Sequence, residues 1–168
     1  MNVPTATPVV ISLDTACAIT DMSKSTWWRR IAKGDFTRVA DEVRGRAMLL
    51  WSEVAPHVCV PLAPEDQHFI LLADSGNAEA QDDIGQLFLL AGKYPAAVYW
   101  FGQAAQQNNP DAMQWLGYCH LNGKGVPKDE NLGLMWLAKA AALGHLIAQG
   151  QMQGLVKRAL HSHPGPGA

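Results

Sequence analysis

Small and apolar residues recur at helical spacing along the C-terminal two thirds of the chain. Some stretches carry them at i, i+4 and i+7 and others at i, i+3 and i+7, which places them on one face of a helix. This pattern predicts four helices that form two hairpins. The apolar positions are Ala80, Ile84 and Leu87, then Ala112, Leu116 and Cys119 in the first helices, and Val98, Phe101 and Ala105, then Leu134, Leu137 and Ala141 in the second helices.

The two hairpins are copies of one repeat. Residues 78–110 align with residues 110–146 at a shift of 32 positions in the first helix and 36 positions in the second. The difference is a four-residue insertion in the second inter-helix loop. Ala148 begins a third copy of the first helix, and the segments 64–76 and 146–160 are predicted to cap the array. Because one hairpin cannot bury its apolar face alone, stacked neighbours have to supply the core.

The second copy carries the fuller motif, which runs through Ala112, Leu116 and Gly117, the loop 122–129, and then Trp136, Ala140, Ala141 and Gly144. These residues resemble the Sel-one-like repeat, a tetratricopeptide-like α-hairpin, over about residues 64–155. The first copy departs from the family by its shorter loop. The resemblance implies a scaffold that binds other proteins and is not an enzyme. We expect Trp100 and Trp136 to lie in the core rather than to stack on bases.

The first sixty residues follow a different period. Ser23 is a good N-cap for a helix that runs to about Lys33 and is closed by Gly34. The other predicted elements are a short helix over 14–20, β-compatible runs at 37–40 and 47–50 around a polar turn at 41–46, and a last short helix over 51–58. Two helices followed by a two-stranded wing are a common DNA-binding arrangement.

Residues 22–36 resemble the second helix of prophage excisionases and AlpA-type regulators, which are relatives of the MerR winged helix. The stretch 45–54 resembles the end of their wing and the helix that follows it. The resemblance covers roughly residues 10–58 and implies an N-terminal winged helix-turn-helix that binds duplex DNA. The chain departs from the family at Thr37, where proline is usual, and at Arg30, where an apolar residue is usual.

Positive charge concentrates in the same segment. Residues 22–46 hold seven basic and three acidic residues, a net charge of +4, within a chain whose net charge is −2. Such a concentration favours a polyanionic partner. On a helix that starts at Lys24, Trp27 and Ile31 face the core, which leaves the opposite side for DNA. The candidate DNA-binding residues are Lys24, Ser25, Trp28, Arg29, Arg44 and Arg46.

Each candidate has a chemical role. Arg29 is suited to a bidentate contact with guanine O6 and N7. Lys24 and Ser25, at the helix N-terminus, suit phosphate contacts. Arg44 and Arg46 in the wing turn are within reach of a neighbouring phosphate or the minor groove. For Trp28 the alternative is packing against the repeat array.

Composition bounds the remaining classes of function. The 168 residues are 48% hydrophobic and 17% charged, which is typical of a folded protein. No apolar run approaches the roughly 20 residues of a membrane span, and the first twenty residues lack the basic region of a signal peptide. We therefore expect a cytoplasmic protein.

No catalytic or metal chemistry is expected. The three cysteines lie far apart, which indicates neither a disulfide framework nor a zinc module. The glycines and lysine at 123–125 lack the spacing of a phosphate-binding loop and are interpreted as an inter-helix turn. The chain also offers no nucleophile–base set, so the sequence predicts no enzymatic activity, no metal and no cofactor.

The sequence thus predicts a mainly helical protein of three parts: a winged helix-turn-helix at 1–60, Sel-one-like repeats at 61–160 and a disordered tail at 161–168. The leading hypothesis is a DNA-binding regulator whose repeats bind an unidentified protein partner or mediate self-association. The weak DNA contact expected of one winged helix predicts that the regulator is a homodimer. The alternative is a protein-interaction adaptor whose N-terminal module no longer binds DNA, which Arg30 in a usually apolar position favours.

Overall fold

The computed structural model describes residues 8–40 and 45–162. Within these ranges the contacts between residues divide the chain after Ser75 into an N-terminal unit and a repeat unit. The predicted boundary between residues 60 and 61 stays a prediction. The described part of the chain is mainly helical, as the sequence predicts.

The N-terminal unit combines short helices with a three-stranded antiparallel sheet in the order β1-β3-β2. Ile11 of β1 pairs with Leu49 of β3, and Val39 of β2 pairs with Met48 of β3. The elements are β1 (Val10–Ser12), α1 (Leu13–Ile19), α2 (Lys24–Lys33), β2 (Arg38–Ala40), β3 (Ala47–Leu50), α3 (Trp51–Val54), a 3-10 turn (Ala55–His57) and α4 (Asp66–Asp74).

Two features of this unit differ from the sequence prediction. Residues 10–12, for which the sequence predicts no element, form strand β1 because they pair with β3. Helix α4, expected to cap the repeat array, belongs by its contacts to the N-terminal unit. The carboxylate of Asp74 at the end of α4 accepts hydrogen bonds from the Ser12 backbone N–H and hydroxyl and from the Thr15 hydroxyl. These bonds attach α4 to the start of α1.

The described residues of the repeat unit, 76–162, form five consecutive helices, which make two hairpins and a further helix. Their bounds are α5 (Ala78–Leu90), α6 (Tyr94–Gln106), α7 (Pro110–Asn122), α8 (Glu130–Ala142) and α9 (Leu146–Ser162). Helix α9 extends two residues into the predicted tail, and residues 163–168 lie outside the described residues. The N-caps repeat as well, since the side chains of Asn77 and Asn109 accept the backbone N–H three residues later.

Glycines bring the two helices of each hairpin close together. A Cβ atom at Gly85 would lie 2.6 Å from the ring of Phe101, and one at Gly117 would lie 2.8 Å from the side chain of Leu137. Any larger residue at these positions would therefore force the neighbouring side chain or its helix to shift. The close approach buries the apolar positions that the repeat pattern predicts, among them Ile84, Phe101 and Leu116.

Candidate functional site

Helix α2 is delimited by two local signals that the sequence predicts. Ser23 is its N-cap, and its hydroxyl accepts the Thr26 backbone N–H at 3.2 Å. Gly34 closes the helix in the left-handed region, with φ of 81°. Among the ten described residues of α2, only Trp27 is buried. The helix therefore presents most of its surface to solvent.

Four of the predicted DNA-binding residues lie on this exposed surface of α2: Lys24, Ser25, Trp28 and Arg29. Ser25 and Arg29 are four residues apart and share the side opposite Trp27. Lys33 continues the same side and is also exposed. Ile31, predicted to face the core, is half-buried.

The basic residues of α2 differ in whether they have an acidic partner. Lys24 Nζ lies 2.8 Å from an oxygen of Asp14, and the hydrogen bond raises the pKa of Lys24. Arg30 Nε lies 3.2 Å from a carboxylate oxygen of Asp35. Arg29 and Lys33 have no acidic partner among the described residues. They are consequently the available positive charges of this helix.

Arg30 occupies its usually apolar position by covering an aromatic cluster. Its guanidinium lies 4.6 Å from the ring centroid of Phe36, and Phe36 in turn packs on Trp27 at 4.6 Å and on His57 at 5.5 Å. The stem and the planar head of arginine can cover apolar surface while the charge remains bonded to Asp35. The departure at Arg30 is therefore compatible with a packed helix.

The segment after α2 adds one cation that the sequence reasoning missed. Arg38 in β2 holds its guanidinium 5.6 Å from the ring centroid of Trp28, which is 40% exposed. At the other departure from the family, the Thr37 backbone N–H and hydroxyl both donate to the Glu53 carboxylate, at 2.7 and 2.8 Å. A proline at this position has no N–H to donate.

Of the two predicted wing residues, the structure describes only Arg46. Arg46 is half-buried, and its Nε atom is buried without a hydrogen-bond partner among the described residues. Arg44 lies outside the described residues. The structure thus brings Lys24, Ser25, Trp28 and Arg29 together on α2 and adds Arg38. The DNA-binding role of Arg44 and Arg46 stays a prediction.

The repeat unit holds a buried acidic group and a buried thiol. Asp82 is 5% exposed, and burial raises the pKa of its carboxyl to about 6, against the opposing hydrogen bond from Gln86 at 2.8 Å. Its Oδ1 atom has no hydrogen-bond partner among the described residues. Burial also raises the pKa of the Cys119 thiol to about 11.

A histidine links two helices in the same unit. His145 Nδ1 accepts the Ala148 backbone N–H at 3.1 Å, at the start of α9, and its Nε2 atom lies 2.8 Å from Asp111 on α7. These contacts fix the direction in which the imidazole points. Asp111 and Asp83 also raise the pKa of Asp82, and His145 lowers it.

The second repeat tryptophan is not a core residue, contrary to the sequence prediction. Trp100 is 1% exposed, whereas Trp136, at the equivalent position, is half-buried. The Lys139 ammonium lies 4.6 Å from the Trp136 ring centroid. Burial of a repeat position depends on the neighbouring helices, which the repeat pattern alone does not describe.

The repeat hairpins match a known family. Residues 78–109 and 110–145 each match the Sel1 repeat. The two hairpins are thus similar to Sel1 repeats. The first of these covers α5 and α6 and the second covers α7 and α8, so the Sel1 matches coincide with the hairpins of the fold. This confirms the predicted Sel-one-like array for the part of the chain that was matched.

Two further proteins are similar to this chain. A Sel1 repeat protein from Oxalobacter formigenes, known from its crystal structure, superposes with a TM-score of 0.53 and 32% identity, covering 62% of this chain. An uncharacterised protein of Neisseria meningitidis serogroup B is 36% identical over 83 residues, which is 49% of this chain. This chain spans 32% of the Oxalobacter protein and 17% of the Neisseria protein.

Among the described residues, no helix is long and apolar enough to cross a lipid bilayer.

Proposed function

We propose that the N-terminal unit is a winged helix-turn-helix that binds duplex DNA, and that the Sel1 repeats bind a partner protein. Neither role needs a catalytic step, a metal or a cofactor. In this proposal α1 and α2 are the helix-turn-helix, α2 enters the major groove, and β2 and β3 are the strands of the wing.

The exposed surface of α2 carries the proposal. The ten residues from Lys24 to Lys33 include four cations and no acidic residue, and the helix buries only Trp27 among them. Of these cations, Arg29 lies between Ser25 and Lys33 on the solvent side without an acidic partner among the described residues. A guanidinium presented in this way is suited to the acceptor pair of guanine in the major groove.

Trp28 and Arg38 extend the same surface. The indole and the guanidinium are associated at 5.6 Å, which orders a cation next to an exposed aromatic ring. Arginine forms strong charge-assisted hydrogen bonds with phosphate oxygens. Arg38 would therefore bind the DNA backbone beside the groove that α2 enters.

The Sel1 repeats support the second half of the proposal. Their hairpins pack consecutively, and the array leaves several large apolar side chains exposed, among them Leu143, Leu146 and Ile147. Groups of exposed apolar residues on a folded unit are typical of protein-interaction surfaces.

The DNA-binding half is tested by selecting genomic duplex fragments with the full-length protein. The comparison uses an Arg29→Glu variant and a control, Lys157→Glu, which makes the same charge change on α9. We expect the wild type and the control to enrich the same discrete site, and the Arg29→Glu variant to lose it. For about four phosphate contacts the log–log dependence of affinity on salt has a slope near −3.6.

The absence of any duplex binding at low salt by the wild type would reject this half. The second candidate function, an interaction adaptor without DNA binding, would then remain. One observation favours it: Lys24 and Arg30 are both paired with acidic residues, which reduces the charge available on α2.

We also propose that the DNA-bound form is a homodimer. A single winged helix makes few phosphate contacts, and dimers that bind two half-sites gain affinity from both. Light scattering of the protein with its selected fragment should give two chains per duplex. A mass of one chain per duplex would contradict the dimer and leave DNA binding itself intact.

A further inference from the structure

A groove in the repeat unit lies between the end of α6, the start of α7 and the C-terminal half of α8. It encloses about 430 Å³, which lies in the range of ligand-binding sites. Its floor is apolar: Ala105 and Met113 are buried, and Ala142 and Trp136 line the α8 side.

Trp136 makes this groove different from the equivalent place in the first repeat. The counterpart Trp100 is almost completely buried, whereas the indole of Trp136 is half-buried and lines the groove. Leu143, at one edge, is 51% exposed. The groove therefore offers an aromatic ring and an aliphatic side chain to an apolar group from outside.

The rim of the groove is polar and carries one sign of charge. Lys139 is the single charged residue among the described residues that line it, and its ammonium has no acidic partner within the described part of the chain. Gln106 and Asn108 also line the groove, and both residues are exposed. Asn108 has a positive φ of 62°, which turns the chain sharply at this edge.

We propose that this groove binds a segment of a partner protein in which an acidic residue lies next to a large apolar residue. The apolar side chain packs on Trp136 and Leu143, the carboxylate pairs with Lys139, and the amides bind the peptide backbone. This inference rests on the proposed protein-binding role of the repeats and names the chemistry of the partner.

The groove fits a peptide better than a nucleic acid. A single-stranded nucleic acid needs several cations along its backbone and open aromatic faces for its bases. Here one cation is present, it lies over the indole ring, and the rest of the floor is aliphatic. A peptide with one carboxylate next to one apolar side chain matches the single cation and the apolar floor of the groove.

The test uses the full-length protein and short synthetic peptides. One set carries Asp-Leu, Asp-Phe or Glu-Trp at its centre, and matched sets replace the acid by Asn or Lys, or the apolar residue by Ser. Binding is followed by NMR through the indole N–H signal of Trp136, which is assigned by its loss in Trp136→Phe. A thymidine oligonucleotide is the nucleic-acid probe.

We expect the acidic–apolar peptides to move the Trp136 signal and to bind more tightly than their Lys counterparts. Lys139→Glu should weaken them about tenfold, which corresponds to roughly 1.4 kcal/mol, and should reverse the preference toward the Lys set. Lys157→Glu makes the same charge change outside the groove and should leave both affinities unchanged. Trp136→Ala should abolish binding. If Trp136→Ala unfolds the protein, Lys139→Glu still tests the inference, because it changes an exposed side chain.

Three results would overturn the inference by itself, and a fourth would overturn it together with the proposed protein-binding role. The first is equal affinity of the wild type for the acidic and the Lys peptides, and the second is a response to the oligonucleotide in place of the peptides. The third is peptide binding that neither Lys139→Glu nor Trp136→Ala changes, which would leave protein binding by the repeats in place elsewhere. If no peptide moves any signal from residues 76–162, the proposed protein-binding role fails together with this inference.

Discussion

Arg29 and Lys24 belong to the same helix but differ in what their charges face. Lys24 is paired with Asp14, whereas Arg29 has no acidic partner among the described residues. We expect Arg29→Ala to reduce DNA affinity by about 1–3 kcal/mol at a cognate site, because the proposed bidentate base contact would be lost. Lys24→Ala should have a smaller effect. Fluorescence anisotropy with the selected duplex gives both values, and a larger loss in Lys24→Ala would contradict the assignment.

Asp82 is a residue whose burial makes stability depend on pH. Its carboxyl pKa rises from 3.8 to about 6 on folding, so the folded state favours the protonated form. The contribution of the Asp82 carboxyl to the free energy of unfolding is therefore fully present below pH 3.8 and is lost as the pH rises through 6. Asp82→Asn removes the ionisable group and keeps an acceptor for Gln86.

We therefore expect Asp82→Asn to be more stable than the wild type by about 1–2 kcal/mol at pH 7.5, after allowance for residual solvent screening. The advantage should disappear near pH 4. Urea unfolding at a series of pH values measures the difference. An advantage that does not change with pH would show that ionisation of Asp82 is not its cause.

At the scale of elements, the hairpins depend on glycines that permit close helix contact. A methyl group at Gly117 would lie 2.8 Å from Leu137 and 3.1 Å from the Gly133 carbonyl oxygen. We expect Gly117→Ala to destabilise the protein by about 1–3 kcal/mol. Gly102 in α6 is the matched control, since nothing lies within 4 Å of its added Cβ, and there alanine should stabilise by about 0.5–1 kcal/mol. Urea unfolding of both variants would contradict this account if the two shifts had the same sign.

Elements with local signals could be predicted from the sequence, and elements that depend on distant partners could not. The bounds of α2 follow from Ser23 and Gly34, which act within the helix itself. Strand β1 exists through its pairing with β3, about forty residues later. The place of α4 depends on Asp74, whose bonds reach Ser12 across 62 positions. No periodicity in a local window contains such information.

The candidate site also has features that local signals predict and features that depend on contacts between elements. Residue type and helical period are sufficient to put Ser25, Trp28 and Arg29 on one surface. They do not show that Asp14 neutralises Lys24 or that Arg38 stacks on Trp28, because both contacts join different elements. In the repeats, the exposure of Trp136 depends on the neighbouring helices, while its sequence position equals that of the buried Trp100.

At the scale of the whole molecule, the two proposed binding activities belong to different units of the chain. We expect Arg29→Glu to leave the affinity for acidic–apolar peptides unchanged and Lys139→Glu to leave the affinity for the selected duplex unchanged. Anisotropy measurements with both ligands on both variants test this separation. A cross-effect of more than about threefold, roughly 0.65 kcal/mol, would instead indicate coupling between the two sites.

The buried thiol of Cys119 is an intrinsic probe of local opening in the α7–α8 hairpin. Because the pKa of this thiol is about 11, almost none of it is thiolate at neutral pH, and the closed α7–α8 hairpin protects it from reagents. Alkylation of Cys119 must then wait for the hairpin to open, so its rate, read by mass spectrometry, reports the opening equilibrium without any introduced label when reclosing is faster than alkylation. The same measurement, repeated with a bound peptide, would show how strongly a ligand holds the α7–α8 hairpin closed.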